Sequence, residues 1–203
     1  MFDMVEELAA IHRSVVRDDG SDAVSVTLTR AYDADADDVW DALTNPERLP
    51  RWFNPVSGDL QVGGKFQIEG NASGEIRRCD RPTWLQVTFG DPNSIVDVRL
   101  AEAADKTTVE LTHTVPLSMA GSGAGALFVG PGWDGALLGL GIHLRGLAVG
   151  DPVKAANSPE VIEFNRGSIT RWSETITTSG TATGEEIANA REAAVAQYTT
   201  VPS

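Results

Sequence analysis

The chain has 203 residues, 41% of them hydrophobic, and its 29 acidic and 16 basic residues give it a formal net charge of −13. This length and apolar content suffice for one domain with a full hydrophobic core. A surface this acidic repels phosphate backbones and anionic lipids, which argues against nucleic-acid binding and membrane binding.

The N-terminal residues predict a short amphipathic helix within residues 1–20, because Val5, Leu8 and Val15 recur at helical spacing. A polar turn at 18–22 follows, and a strand-like run at 24–32 comes after it.

Residues 33–53 carry the most informative local pattern of the chain, DADADDVWDALTNPERLPRWF. Asp35 is placed to cap a helix, and apolar residues then recur at helical spacing. Pro46 ends that helix, because the residue before a proline avoids the α region. Trp52 and Phe53 follow as two bulky side chains that need a shared pocket.

The next part of the chain predicts an antiparallel meander, because short strand-like runs follow one another without helices between them. Glycine- and aspartate-rich turns separate these runs. The runs lie at 66–69, 75–79, 84–89, 95–101 and 107–115.

A long helix is predicted after residue 130, within an apolar stretch at 124–149, and its stripe with Trp133 and Leu137 is expected to face the sheet. Its charged residues and its many glycines argue against a membrane span. The run GPGWDG at 130–135 satisfies GxGxxG but lacks a βαβ context, so we interpret it as a tight entry into this helix.

Two further helices are predicted beyond residue 150. Ser158-Pro159 is typical of a helix start, and Thr183 with Glu186 fits a capping box. We expect these helices to pack back on the domain rather than to form a dimer contact, because each helix has one apolar face and needs only one surface to bury it.

Taken together, these motifs resemble the START-like (SRPBCC) superfamily, and within it the single-domain bacterial homologues of the heat-shock-protein ATPase activator. The resemblance covers about residues 22–148, through the runs TRAYDADADDVWDALTNPERLPRWF, GDLQVGGKFQIEG, GEIRRCDRPTWLQVTF and GWDGALLGLGIHL. It implies an α+β helix-grip fold, in which a curved antiparallel sheet surrounds a long C-terminal helix, often with a cavity between them. The predicted organisation is an N-terminal helix at 1–20, the START-like domain at 22–148, and a C-terminal helical extension at 151–203 packed on it.

Alternation along the strands selects the side chains that would line such a cavity. His113 is the best polar candidate, because a neutral imidazole on the concave face could hydrogen-bond a ligand or transfer a proton. A hydrogen-bonded structural histidine is the alternative, and the apolar candidates either wall a pocket or fill it. The candidate ligand-binding residues are Trp52, Phe53, Phe66, Ile76, Phe89, Val98, Leu111, His113, Trp133 and Leu137.

Three functions are open at this point. The leading hypothesis is a binding protein for a small apolar or aromatic molecule held between sheet and helix. The resemblance also suggests an enzyme of the polyketide cyclase or aromatase kind, which would need a polar partner for His113, or a chaperone-ATPase cofactor. We predict no catalytic residue.

The three histidines and single cysteine show no ligand spacing, so no metal site or cofactor is predicted. Cys79, as the only cysteine, leaves no intrachain disulfide, and the first residues lack the apolar core of a signal peptide. We expect a cytoplasmic monomer or homodimer.

Overall fold

The structure is a computed structural model, and it describes residues 3–18, 20–147, 155 and 157–200. Within residues 65–116, successive strands follow one another without a helix between them, as the meander pattern predicts. The elements are α1 (Met4–Ala9), β1 (His12–Asp18), β2 (Ala23–Tyr32), α2 (Ala36–Thr44), β3 (Val56–Gly58), β4 (Lys65–Ile68), β5 (Ser73–Asp80), β6 (Trp84–Phe89), β7 (Asp91–Ala103), β8 (Lys106–Pro116), α3 (Leu117–Ala120), α4 (Ala126–Leu144), α5 (Pro159–Ser179) and α6 (Gly184–Thr199).

Eight strands form one antiparallel sheet in the order β1-β2-β8-β7-β6-β5-β4-β3. From β3 to β8 each strand pairs with the next one along the chain, as a meander requires. The sheet does not close, so β1 and β3 are its edges. With the long helix α4, these strands confirm the predicted α+β helix-grip fold.

The chain forms two compact units. Unit 1 comprises Met1–Leu28, Thr114–Leu138 and Val153–Ser203, and unit 2 comprises Thr29–His113 and Gly139–Pro152. Both units draw on the region 22–148, so the domain boundaries given above stay predictions. The predicted boundary at 148–151 lies outside the described residues.

The pattern at 33–53 folds within unit 2 as its residues indicate. Asp35 caps α2, because its side chain accepts a hydrogen bond from the backbone N–H of Asp38 at 2.8 Å. The helix ends at Thr44, just before the Asn-Pro pair. The indole Nε1 of Trp52 then donates to the backbone oxygen of Ala42 at 3.1 Å, which ties the following turn to α2.

The N-terminal helix is shorter than predicted. It ends at Ala9, and His12–Asp18 form the edge strand β1, so the prediction of a helix that reaches Val15 is wrong. Two adjacent β-branched residues, Val15 and Val16, favour an extended backbone, and pairing with β2 decides the competition.

The long helix starts earlier than predicted. It begins at Ala126, so the GPGWDG run lies inside the helix and is not its entry. Gly130 is needed there because a Cβ at this position would lie 2.4 Å from the indole of Trp172. Leu137 is buried as expected, whereas Trp133 is only partly buried and Asp134 takes its place in the buried stripe.

Asp134 is fully buried in unit 1 and joins three elements. Its carboxylate oxygens lie 3.1 and 3.0 Å from Nε of Arg13 on β1. From α5 it accepts hydrogen bonds from the Ser168 hydroxyl at 2.5 Å and the Trp172 indole at 3.0 Å. Burial raises the pKa of Asp134, and the positive charge of Arg13 opposes that rise.

The C-terminal helices form as predicted and pack within unit 1. Ser158 caps α5, and Thr183 and Glu186 make a complete capping box at the start of α6. Helix α5 packs against α1, β1 and α6. The Tyr198 hydroxyl of α6 donates to the backbone oxygen of Phe128 on α4 at 2.6 Å.

One segment, Gly123–Leu144, is long and apolar enough to cross a membrane by length and composition alone. Half of its most apolar window is buried inside the protein, which is typical of the core helix of a soluble protein. The cytoplasmic location stays a prediction.

We predict that Asp134→Ala lowers the free energy of unfolding by about 3–5 kcal/mol, because it leaves the Arg13 guanidinium buried without its counter-ion. Urea denaturation measures the change. The exposed Glu192→Ala on α6 is the control and should stay within about 0.5 kcal/mol of the parent.

The double variant Arg13→Met with Asp134→Asn should recover much of the loss, because it removes both charges, nearly keeps the volume and leaves an amide oxygen to accept from Ser168 and Trp172. Equal stability of Asp134→Ala and the Glu192 control would contradict this role for Asp134.

Candidate functional site

Unit 2 contains a cluster of apolar side chains from β3–β6 and from the turn before β3, which we call the apolar cluster. Its centre is buried and its surrounding members are only partly buried. The centre consists of Phe66, Ile68 and Ile76, and the partly buried members are Phe53, Val56, Leu85, Val87 and Phe89.

Strand alternation places these side chains on one face of the sheet. On β6, Leu85, Val87 and Phe89 are spaced two residues apart, and Ile76 lies directly opposite Val87 across the β5–β6 pair. Gly74 permits the close pairing around Phe66, because a Cβ at Gly74 would lie 2.9 Å from that ring. The resulting surface is apolar and retains accessible area.

A buried polar pair adjoins this cluster. Nε2 of His113 on β8 lies 2.8 Å from the hydroxyl oxygen of Ser94 on β7, within hydrogen-bonding distance. The Phe89 ring meets the imidazole edge-on, with ring centroids 5.6 Å apart. His113 is only 2% exposed, and this burial lowers its pKa to about 4. The imidazole is therefore neutral at pH 7.

Ser94 is not among the residues that the sequence predicts for the site. The signal was present, however, because Ser94 precedes Val96 and Val98 at a spacing of two, and all three are buried on the same strand. A serine at the start of an apolar alternation is easily assigned to the preceding turn. In the structure β7 starts at Asp91, four residues before the predicted run.

The predicted site residues do not all come together. Contacts join Phe53, Phe66, Ile76 and Phe89 in the apolar cluster, and Phe89 contacts His113. The other predicted residues do not belong to the apolar cluster; they are Trp52, Val98, Leu111, Trp133 and Leu137.

Val98 and Leu111 are buried in unit 2, and Val98 lies opposite Leu85 in the sheet. Trp52 is also buried in unit 2, with its ring centroid 5.4 Å from that of Phe53. Its hydrogen bond to α2 and the close approach of Gly139 to its backbone oxygen fix its position.

Trp133 and Leu137 lie on the part of α4 that belongs to unit 1. Trp133 is partly buried and Leu137 is 3% exposed. Their role in ligand binding stays a prediction. Among the residues that the structure describes, no group of three or more His, Cys, Asp or Glu is arranged to hold a metal ion.

The sheet and the long helix define this protein as a member of the START-like, helix-grip class. The family model "Activator of Hsp90 ATPase homolog 1-like protein" matches residues 33–144, more than half of the chain. The chain belongs to this family, which confirms the predicted resemblance.

The chain is also similar to CalU16 from Micromonospora echinospora. The crystal structure of CalU16 is 33% identical with a TM-score of 0.66, and the match covers 83% of this chain and 99% of CalU16. For the solution NMR structure of CalU16 the identity is 35% and the TM-score 0.69, with 84% and 97% covered.

EF2215 from Enterococcus faecalis shows the same fold at 17% identity, with a TM-score of 0.63 and coverage of 87% of this chain and 95% of that chain. No curated protein matches the chain.

We predict that stability falls as the pH drops from about 6.5 to about 4. The pKa of His113 is near 6.5 in the unfolded chain and about 4 in the folded chain, so only the unfolded chain binds this proton in that range. The loss amounts to at most about 3 kcal/mol. Unfolding free energies measured across this pH range test the expectation.

Two glutamine variants test this assignment, one at His113 and a control at His12. His113→Gln should flatten the slope between pH 4 and 6.5, whereas His12→Gln at an exposed position should leave it unchanged. Independently of both variants, an NMR titration of the parent chain should place the His113 midpoint near 4. A midpoint near 6.5 would show that His113 is not held neutral by burial.

Proposed function

We propose that this chain binds a small apolar or aromatic molecule on the apolar cluster, with the Ser94–His113 pair as its polar contact. One observation carries the proposal: the five partly buried side chains of the apolar cluster keep accessible surface beside a buried polar pair. Ligand sites typically combine apolar walls with a few placed polar groups.

The free energy gained by burying apolar surface is large enough to hold such a ligand. An aromatic group buries about 150–250 Å². At about 25 cal/mol per Å² this contributes about 4–6 kcal/mol before the entropic costs of association. A partly open apolar surface can therefore hold a ring without any ion pair.

The polar pair favours hydrogen bonding over proton transfer. A pKa of about 4 makes His113 a weak base at neutral pH, whereas general-base catalysis works best with a pKa near the operating pH. A neutral imidazole and a hydroxyl can both donate and accept hydrogen bonds, so they suit a ligand hydroxyl or carbonyl. This supports binding over the polyketide cyclase or aromatase alternative.

A chaperone-ATPase cofactor is the second candidate, and it is supported by the description of the family alone. The direct experiment adds the full chain to the cognate chaperone at equal concentration and measures ATP hydrolysis. A rate that rises with added chain would favour this function, and an unchanged rate would argue against it.

We predict that the chain binds the uncharged fluorescent aromatic probe N-phenyl-1-naphthylamine saturably, and that Val87→Glu weakens this binding at least tenfold. The new carboxylate must lose water when the probe covers it. A tenfold change corresponds to about 1.4 kcal/mol. Fluorescence titration measures Kd, and native mass spectrometry of the purified chain detects any retained small molecule.

The control is Val62→Glu, which changes an exposed valine in unit 2 outside the apolar cluster. It should leave Kd within about twofold. Circular dichroism checks that each variant folds. If Val87→Glu does not fold, Val87→Thr replaces it in the titration, because threonine keeps the shape of valine and adds a polar hydroxyl. Absence of saturable binding, or equal binding by the cluster and control variants, would refute the proposed site.

A further inference from the structure

A concave surface belongs to unit 1, and we call it the β1 groove. It has a volume of about 520 Å³ and runs between the end of α1, the strand β1 and the C-terminal half of α5. It is lined by Leu8, Ala9, Ile11, His12, Arg13, Ser14, Val15, Arg171, Glu174, Thr175, Thr178 and Ser179.

The lining shows that the groove follows the edge of the sheet. Five consecutive residues at 11–15 contribute to it, although successive strand side chains point to opposite faces. A groove touched by all five must run along the backbone edge of β1. Within the described chain, β2 is the only strand beside β1 in the sheet order, so the outer edge of β1 has no strand neighbour.

This edge is long for one without a strand neighbour. β1 has seven residues, whereas the opposite edge strand β3 has three. Natural sheets usually shorten or block their edges, because exposed backbone N–H and C=O groups are a template for another strand. Val16 on β1 is 55% exposed and adds an apolar side chain to this edge.

The opposite wall of the groove is a polar face of α5. Thr175 and Thr178 lie three residues apart, and their hydroxyls donate to backbone oxygens of the preceding helical turn. Their oxygen atoms still have lone pairs to accept hydrogen bonds. This wall suits polar side chains that alternate along an extended strand.

The charges of the lining restrict the occupant. Arg13 is neutralised by Asp134, and Arg171 lies 3.6 Å from Glu174, so the groove is close to neutral. The whole chain has a net charge of −13 and repels acidic segments before contact. Uncharged central residues with basic flanks complement this arrangement.

We propose that the β1 groove binds an extended peptide segment of a partner protein, which adds a strand to β1 and has an uncharged centre with basic flanks. Main-chain hydrogen bonds to the sheet edge supply the affinity, and the α5 wall selects alternate side chains. This activity is separate from small-molecule binding by the apolar cluster.

The experiment selects ligands from a displayed library of random 12-residue peptides against the immobilised full chain. Thr178→Trp fills the groove, and Thr177→Trp is its control, because Thr177 is the adjacent exposed threonine on α5 and does not line the groove. For a synthesised selected peptide, calorimetry should show at least tenfold weaker binding to Thr178→Trp and less than twofold change with Thr177→Trp.

Two further measurements test strand addition itself. Bound peptide should slow hydrogen exchange at least tenfold for the alternate amides within 12–17 that do not face β2. N-methylation of alternate peptide bonds should abolish binding in one register and spare the other, because only alternate N–H groups of an added strand face β1.

Several results would overturn the proposal. These are no enrichment of peptides, equal loss with Thr177→Trp and Thr178→Trp, or equal tolerance of both N-methylated series. A concentration-dependent dimer that Thr178→Trp abolishes would also overturn it, because the occupant would then be a second copy of the chain.

Discussion

The fully buried carboxylate of Asp134 is the constraint on which unit 1 depends. A charge without water must be surrounded by donors, and here Arg13, Ser168 and Trp172 supply them from β1 and α5. Such a pair adds little net stability compared with apolar residues, but it strongly penalises any arrangement that separates its members. The position of β1 against α4 and α5 is therefore specified by electrostatics as well as by apolar contact. The groove beside β1 follows from this placement.

In unit 2 the buried polar groups are uncharged, unlike the ion pair of unit 1. Ser94 and His113 are neutral partners, and burial lowers the pKa of the imidazole enough to remove its charge at neutral pH. A neutral pair can lie beside aromatic rings without a counter-ion, so the neighbouring surface remains apolar. That combination suits an uncharged aromatic ligand better than an ionised one. The family and the relationship to CalU16 establish the scaffold, whereas this local chemistry supports the proposed binding.

Much of the fold could be read from local patterns. The Asp35 cap, the stop at the Asn-Pro pair and the capping box at Thr183 depend on neighbouring residues, and all three are confirmed. The meander could also be predicted, because the alternation of apolar and polar residues along each strand is a local property of the sequence. His113 was identified because it continues the alternation of β8. Ser94 was missed because a serine at a strand start reads as part of a turn, and only pairing with β6 and β8 extends β7 back to it.

The sequence by itself determined the family, the meander, the helix caps and the alternating faces of its strands, because caps, breakers and periodicity act over a few residues. Only the tertiary structure decided three things: that His12–Asp18 is an edge strand, that GPGWDG lies inside α4, and that Asp134 is buried. The first depends on pairing with the next strand, β2, and the other two depend on Trp172 and Arg13, which are distant in the chain. Propensity is weak compared with the penalty of leaving a charge or a large ring without a partner, so these long-range contacts override it.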